Sequence, residues 1–192
     1  MCYASDTSKQ TIRATIITDD DRCSNRLDID HYISKEIDYD TGELSTVVEK
    51  LQCDIPSDRF QLLKTMCDSA HISIYGAQKT LEYELVKHAS NIPYLIDAIT
   101  KAQPVLGPTL SDYVSSLSSI EEKAACIWLC IRERSKFKGE YAQNLAQQLK
   151  LEIQSSQAET PAKHFIIPEY IQKAIYSVTE EGKVYGVDSG TE

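Results

Sequence analysis

The residues of this 192-residue chain that could do chemistry are scattered and form no known catalytic motif. The sequence has no G-x-S-x-G nucleophile turn, no phosphate-binding P-loop, no G-x-G-x-x-G and no H-E-x-x-H zinc motif. Its seven glycines do not cluster into a loop that could cradle a phosphate. We therefore expect a protein that is not an enzyme and that needs no cofactor.

The six cysteines and four histidines lack the spacing of metal ligands. The cysteines form no C-x-x-C pair, and no histidine stands near them at zinc-finger spacing. Cys126 and Cys130 are four residues apart in an apolar run, where a free cysteine behaves as a small buried hydrophobe. We predict that these two thiols belong to the core and that the protein has no metal site.

Two acidic stretches are similar to cation-binding sequences but are better explained as loops. Residues 38–49 carry several carboxylates of a calcium-binding loop, but the glycine falls at the fifth place instead of the sixth. A hairpin turn over Asp40-Thr41-Gly42 is the simpler interpretation. The trio Asp19–Asp21 has no convergent partner in the sequence, so it is interpreted as a solvated acidic loop.

A basic stretch offers a candidate binding patch. On one continuous helix its members would stand in two i, i+4 pairs and form a small cationic surface. That surface would suit phosphate groups or an acidic partner, whereas the alternative is a solvated helix end whose dipole favours cations. The net charge of −9 opposes general affinity for nucleic acid and favours the helix end. The residues are Arg132, Arg134, Lys136 and Lys138.

Eleven tyrosines are more than expected for a chain of this length, and several fall within or beside predicted helices. Tyrosine is amphipathic and enriched at protein interfaces, although it fits the edge of a core equally well. We take Tyr75, Tyr83 and Tyr113 as candidate protein-binding residues.

The hydrophobic periodicity predicts a mainly α protein, with a helical core domain over residues 57–154. About five to seven helices are expected to enclose the run 124–131, which is apolar on all sides. Ser119 with Glu122 fits a capping box at the start of that central helix, and Trp128 is its predicted hub. Phe60–Ile74 is predicted as one helix that ends at Gly76.

Short β segments are predicted at both ends of the chain, in acidic segments 1–56 and 155–192. Acidic residues outnumber basic ones by seven in residues 1–58 and by four in 151–192, whereas the middle is nearly neutral. The predicted elements are a strand over Thr11–Thr18, two strands within Glu36–Val48, a helix over Pro168–Ser177 and a hairpin over Val178–Val187.

The chain carries no signal for secretion or membrane insertion. Its first ten residues are polar, and the apolar run Ala124–Ile131 is far shorter than the roughly 18 residues of a membrane-spanning helix. We expect a soluble, cytoplasmic protein without a membrane span.

The segment LLKTMCDSAHISIYG resembles a helix of the poxvirus Bcl-2-like proteins, in which an acidic residue, an alanine and a terminal Tyr-Gly recur. About 45 residues later that family has a hydrophobic central helix with a Leu-Cys-Ala type segment, and Ala124–Ile131, which contains Leu129-Cys130, is similar to it. The resemblance covers roughly residues 57–154 and implies a viral protein that binds host adaptors to block innate immune or apoptotic signalling. The matching residues of the first segment are Asp68, Ala70, Tyr75 and Gly76.

A second resemblance leads to a different function. The segment SSIEEKAACIWL and the basic stretch after it are similar to helical cores of accessory transcription or nucleocapsid proteins of negative-strand RNA viruses. That resemblance implies a viral RNA- or nucleocapsid-associated protein, with a viral nucleoprotein or RNA as its partner. The favoured hypothesis is a non-enzymatic protein that acts by contact with other proteins, and homo-oligomerisation is left open.

Overall fold

The computed structural model describes residues 13–22, 44–52, 55–67, 71–155 and 165–179. Within these ranges the chain is mainly α, as predicted, with eight α-helices and one two-stranded parallel sheet. Short 3-10 turns precede α4 and α7. The elements are β1 (Ala14–Asp19), α1 (Leu44–Leu51), α2 (Asp58–Cys67), β2 (Ile72–Ala77), α3 (Leu81–Val86), α4 (Ile92–Ala102), α5 (Leu106–Ser116), α6 (Ile120–Glu133), α7 (Lys138–Ser155) and α8 (Glu169–Val178).

Helix α6 is the centre of the molecule. The Ser119 hydroxyl accepts a hydrogen bond from the Glu122 N–H at 3.1 Å, so the predicted N-cap is confirmed. Every residue from Ala124 to Ile131 is buried, including Trp128 and the two thiols that we placed in the core. Helices α1, α3 and α5 pack against α6, and α4 packs between α5 and α7.

Helix α1 corrects the prediction of strands within Glu36–Val48, which is wrong over Leu44–Val48. Leu44, Val47, Val48 and Leu51 are all buried in the same core as α6. Their spacing of three and four residues puts them on one face of a helix, and packing against α6 outweighs the β propensity of the two valines. The residues from 23 to 43, including the proposed turn at Asp40-Thr41-Gly42, lie outside the described ranges.

Strand β2 corrects a second prediction, since the helix expected over Phe60–Ile74 ends at Cys67. The sequence ISIYGA alternates β-branched residues with others and pairs with β1 instead. Gly76 is therefore a strand residue and not a helix stop. A Cβ at this position would lie 2.5 Å from Phe60 Cε2, so glycine lets α2 lie close against the sheet.

The sheet lies between α2 and α8. Partners in the parallel register run from Ala14↔Ile72 to Asp19↔Ala77, which confirms the first predicted strand. Thr15 Oγ1 and Ser177 Oγ are 2.6 Å apart on the α8 side, whereas Arg59 Nη2 donates to Thr18 Oγ1 at 3.0 Å on the α2 side.

Helix α8 confirms the prediction for Pro168–Ser177 and is attached to the bundle through a buried amide. The Asn91 side chain donates to the carbonyls of Leu85 and Ile166, at 2.9 and 2.8 Å, and accepts from the Ile166 N–H at 2.7 Å. Tyr94 and Phe165 pack edge to face beside it. A hairpin is predicted over Val178–Val187, but its first residue, Val178, is the last residue of α8. The residues after Thr179 lie outside the described ranges.

The crossing of α4 and α5 gives a testable prediction. A Cβ on Gly107 would lie 2.0 Å from Thr100 Oγ1 and 2.7 Å from Thr100 Cα. Gly107→Ala should destabilise the protein by roughly 1–3 kcal/mol, because the backbone of α4 must move, although helix propensity alone favours alanine by about 1 kcal/mol. The measurement is urea-induced unfolding. Gly139→Ala is the matched control, since nothing lies within 4 Å of its Cβ position, and it should be neutral or stabilising.

Candidate protein-binding groove

The outer edge of β1 directs backbone groups away from the sheet. In a parallel pair, every second residue of a strand bonds to its partner, and the residues between direct N–H and C=O to the other side. Ala14 and Asp20 donate their N–H groups to His71 and Ala77. The N–H and C=O groups of the alternate residues between them therefore point away from β2; these residues are Thr15, Ile17 and Asp19. Among the residues that the structure describes, no further strand pairs with β1.

An open groove of about 490 Å³ runs along this edge. Side chains from both faces of the sheet line it, which places the groove beside the strand and not above one face. Tyr170 and Ile171 of α8 form one wall, and Arg59 of α2 contributes to the other. The remaining lining residues come from the end of β1 and from the first residues of α3 and α7: Ile17, Thr18, Asp19, Asp21, Leu81, Glu82 and Lys138.

A buried carboxylate fixes the end of β1 to the start of α2. Asp20 accepts from the N–H and the hydroxyl of Ser57, both at 2.8 Å, and from Arg22 Nε at 2.6 Å. The Ser57 hydroxyl in turn accepts from the Phe60 N–H and so caps α2. The interpretation of Asp19–Asp21 as a solvated loop is therefore wrong for Asp20, which is almost fully buried because its oxygens are satisfied.

At the inner end of the groove, Glu82 is held as a buried carboxylate. Burial alone would raise its pKa, but hydrogen bonds from Lys138 and Thr80 outweigh that effect and lower the pKa below its usual value. Lys138 Nζ lies 2.9 Å from Glu82 Oε1. The Tyr141 hydroxyl also donates to this carboxylate, and burial followed by the negative charge of Glu82 raises the pKa of Tyr141.

The pKa of Asp19 is shifted in the opposite direction to that of Glu82. Partial burial, followed by the charges of Glu82 and Asp21, raises its pKa, and the charge of Lys138 and a hydrogen bond from the Leu81 N–H compensate only in part. Tyr170 faces the same acids, and burial together with Asp19 raises its pKa as well. The groove therefore has an excess of negative charge around Asp19.

The three candidate tyrosines lie on three different elements. Tyr75 is half-buried in β2, and Tyr113 of α5 is half-buried and packs against the core. Tyr83 is 6% exposed in the core between α3 and α6, and burial raises its pKa to about 12. The selection of Tyr83 as a surface contact is therefore wrong, because helix α3 directs this ring inward, where it covers α6.

The basic stretch does not form the continuous helix on which its pairing depends. Helix α6 ends at Glu133 because Arg134 leaves the helical conformation, and a 3-10 turn separates it from α7. The Arg132 guanidinium lies over the Trp128 ring. The Arg134 side chain donates a hydrogen bond to the Cys130 carbonyl, and the Lys136 ammonium lies over the Phe137 ring. Lys138 pairs with Glu82 and belongs to the groove.

Comparisons of the chain with known proteins found no match. No protein-family model matches the chain, and neither the curated proteins nor the solved structures contain a significant match. Among the described residues, no group of three or more histidine, cysteine or acidic side chains could hold a metal ion. No helix in the described ranges is long and apolar enough to cross a membrane.

Most of the groove could not be recognised from the sequence. The chain separates its walls widely, from Ile17 to Arg59, Glu82, Lys138 and Tyr170. One available signal was the acidic trio directly after a predicted strand, because the carboxyl ends of parallel strands are frequent binding positions. The partner strand was predicted as a helix, so this signal was not interpretable from the sequence.

The raised pKa of Asp19 predicts that this carboxylate costs stability at neutral pH. Asp19→Asn should stabilise the fold at pH 7 by roughly 0.5 kcal/mol, a small value because the groove is open to solvent and screened. The folded state holds the proton more tightly, so this advantage should disappear as the pH falls below about 3.8, where Asp19 is protonated in both states. Urea unfolding at several pH values measures the difference.

The control for this comparison is Asp112→Asn on the exposed face of α5, which should leave stability nearly unchanged. A variant Asp19→Asn that is less stable than the natural chain at pH 7 would contradict the prediction. It would mean that the hydrogen bond from the Leu81 N–H outweighs the repulsion from the neighbouring acids.

Proposed function

We propose that the protein is a non-enzymatic protein-binding protein that accepts an extended segment of its partner as an additional strand on β1. The observation that carries this proposal is the outward-directed backbone of Ile17 and Asp19, which line an open groove. An exposed strand edge presents N–H and C=O groups that a partner strand can pair with, and side-chain pockets beside it give specificity.

The size of the sheet supports this proposal. A sheet of two strands is marginal, and additional strands or packed helices are needed to stabilise it. Here α2 and α8 pack against the sheet, so further strands can be added only at a strand edge, and β1 presents such an edge beside the groove. A third strand would give hydrogen-bond partners to backbone groups of β1 that pair with no strand among the described residues.

Exposed apolar side chains on both covering helices give further support. Leu62 and Met66 of α2 are 61% and 73% exposed, and Ile175 and Tyr176 of α8 are nearly half exposed. Apolar and aromatic side chains at the surface are typical of protein interaction sites. A partner held along β1 could extend over these helices and bury more apolar area than one strand provides.

The two viral hypotheses stay predictions. Antagonism of host innate immune or apoptotic signalling would require that the bound segment come from a host adaptor. Association with RNA or a nucleocapsid would instead rely on Arg132 and Lys136, whose side chains are exposed. The groove favours a protein partner, because its floor is a strand edge and its lining has three acidic and two basic side chains.

Ile17→Pro tests strand addition. It removes one outward N–H and leaves the β1–β2 hydrogen bonds in place, since those come from the alternate residues. Proteins captured from a cell lysate by the natural chain should be depleted roughly tenfold or more with this variant. Quantitative mass spectrometry measures the depletion, and circular dichroism verifies the fold.

Ile17→Val is the matched control, because it keeps the N–H and a β-branched side chain, and it should retain the captured proteins. Equal capture by the natural chain and by Ile17→Pro would overturn strand addition at β1. Loss with both variants would show that the Ile17 side chain, and not its backbone, makes the contact.

A further inference from the structure

The charges of the groove are unequally matched, and this imbalance indicates the kind of segment that it binds. Glu82 has Lys138 at 2.9 Å, whereas Lys79 Nζ lies 3.9 Å from Asp21 Oδ1, at the limit of an ion pair. Asp19 makes no ion pair with a cation among the described residues, although it lines the groove beside two other acids. Burial first, and then repulsion from Glu82 and Asp21, raises the pKa of Asp19, and a cation supplied by a partner would offset both.

The apolar part of the groove lies next to this acidic position. Ile17 is 48% exposed and lines the groove together with Leu81 and Ile171. Ile17 and Asp19 are two residues apart on β1, so both side chains are on the α8 face of the sheet. A strand added to β1 would place side chains opposite them that are also two residues apart.

We propose that the segment bound along β1 carries a lysine or arginine two residues from a valine, isoleucine or leucine, with the cation at Asp19 and Asp21 and the apolar side chain at Ile17. This inference rests on the proposed function and names its partner chemistry. The pattern is apolar-x-basic for a parallel segment and basic-x-apolar for an antiparallel one. The net charge of −9 adds long-range attraction for basic partners.

A second copy of this chain is the strongest competing occupant. Two β1 strands could pair antiparallel about Ile17, with Arg13 opposite Asp21 of the other copy. That register would place Thr15 opposite Asp19, so Asp19 would still lack a cation directly opposite it. Two chains of net charge −9 would also repel each other. A basic segment satisfies Asp19 without either disadvantage.

The test begins with a selection by the full chain from a library of ten-residue peptides with random central positions. Peptides that bind should be enriched in lysine or arginine two positions from a β-branched or leucine residue. Replacing that cation by glutamine should weaken binding roughly three- to tenfold, and so should Asp19→Asn in the protein. Asp112→Asn, on the exposed face of α5, should bind as the natural chain does.

The two changes should not add, because they remove the same interaction, and a double-mutant cycle measured by calorimetry quantifies this coupling. Coupling of the peptide cation to Asp19 that weakens with added salt would support the proposal. Independent effects of the two changes would overturn it, because the cation would then lie elsewhere in the groove.

The remaining outcomes separate this inference from the proposed function. Peptides that bind the natural chain but not Ile17→Pro, without any preference for a cation, would overturn the basic pattern alone. A dimer in light scattering that Ile17→Pro dissociates would assign the edge to a second copy and overturn the inference. A monomer whose Ile17 amide exchanges slowly with solvent would show that the chain itself covers the edge, which would overturn both proposals.

Discussion

The structure depends on the enclosure of one helix that is apolar on every side. Ala124–Ile131 exposes almost no surface, so neighbouring elements must pack around its whole circumference. Helices α1, α3 and α5 contact α6 directly, and Tyr83 and Tyr141 place their rings in the same core. The sheet and its two covering helices therefore form an outer layer, which leaves the edge of β1 at the surface.

Two buried polar side chains hold this outer layer together and attach it to the bundle. Asp20 holds the end of β1 to the start of α2, and Asn91 holds the segment that leads into α8. A buried polar group is costly unless its hydrogen bonds are satisfied, so each of these residues favours one arrangement of its neighbours. The two walls of the groove, α2 and α8, have defined positions for this reason.

The groove combines a fixed frame with an incomplete set of interactions. Its inner end is closed by the network of Glu82, Lys138 and Tyr141, whereas among the described residues Asp19 makes no ion pair and the outward backbone of β1 pairs with no strand. A protein that binds extended segments needs this combination, because a rigid edge reduces the ordering cost on binding and unmatched groups supply specificity. The proposed function follows from this contrast.

The sequence by itself determined the local features of this protein. The hydrophobic pattern predicted α6 and α8, Ser119 predicted the start of the central helix, and the apolar run predicted where the two thiols are buried. Only the tertiary structure decided that Leu44–Leu51 is a helix, because packing against α6 outweighs the β propensity of its two valines. It likewise decided that Ile72–Ala77 is a strand, because its β-branched residues need β1 as a pairing partner. It also decided which charges are paired. Lys138 meets Glu82 across 56 positions of sequence while Asp19 meets no cation in the described residues, and no local pattern encodes such distant contacts.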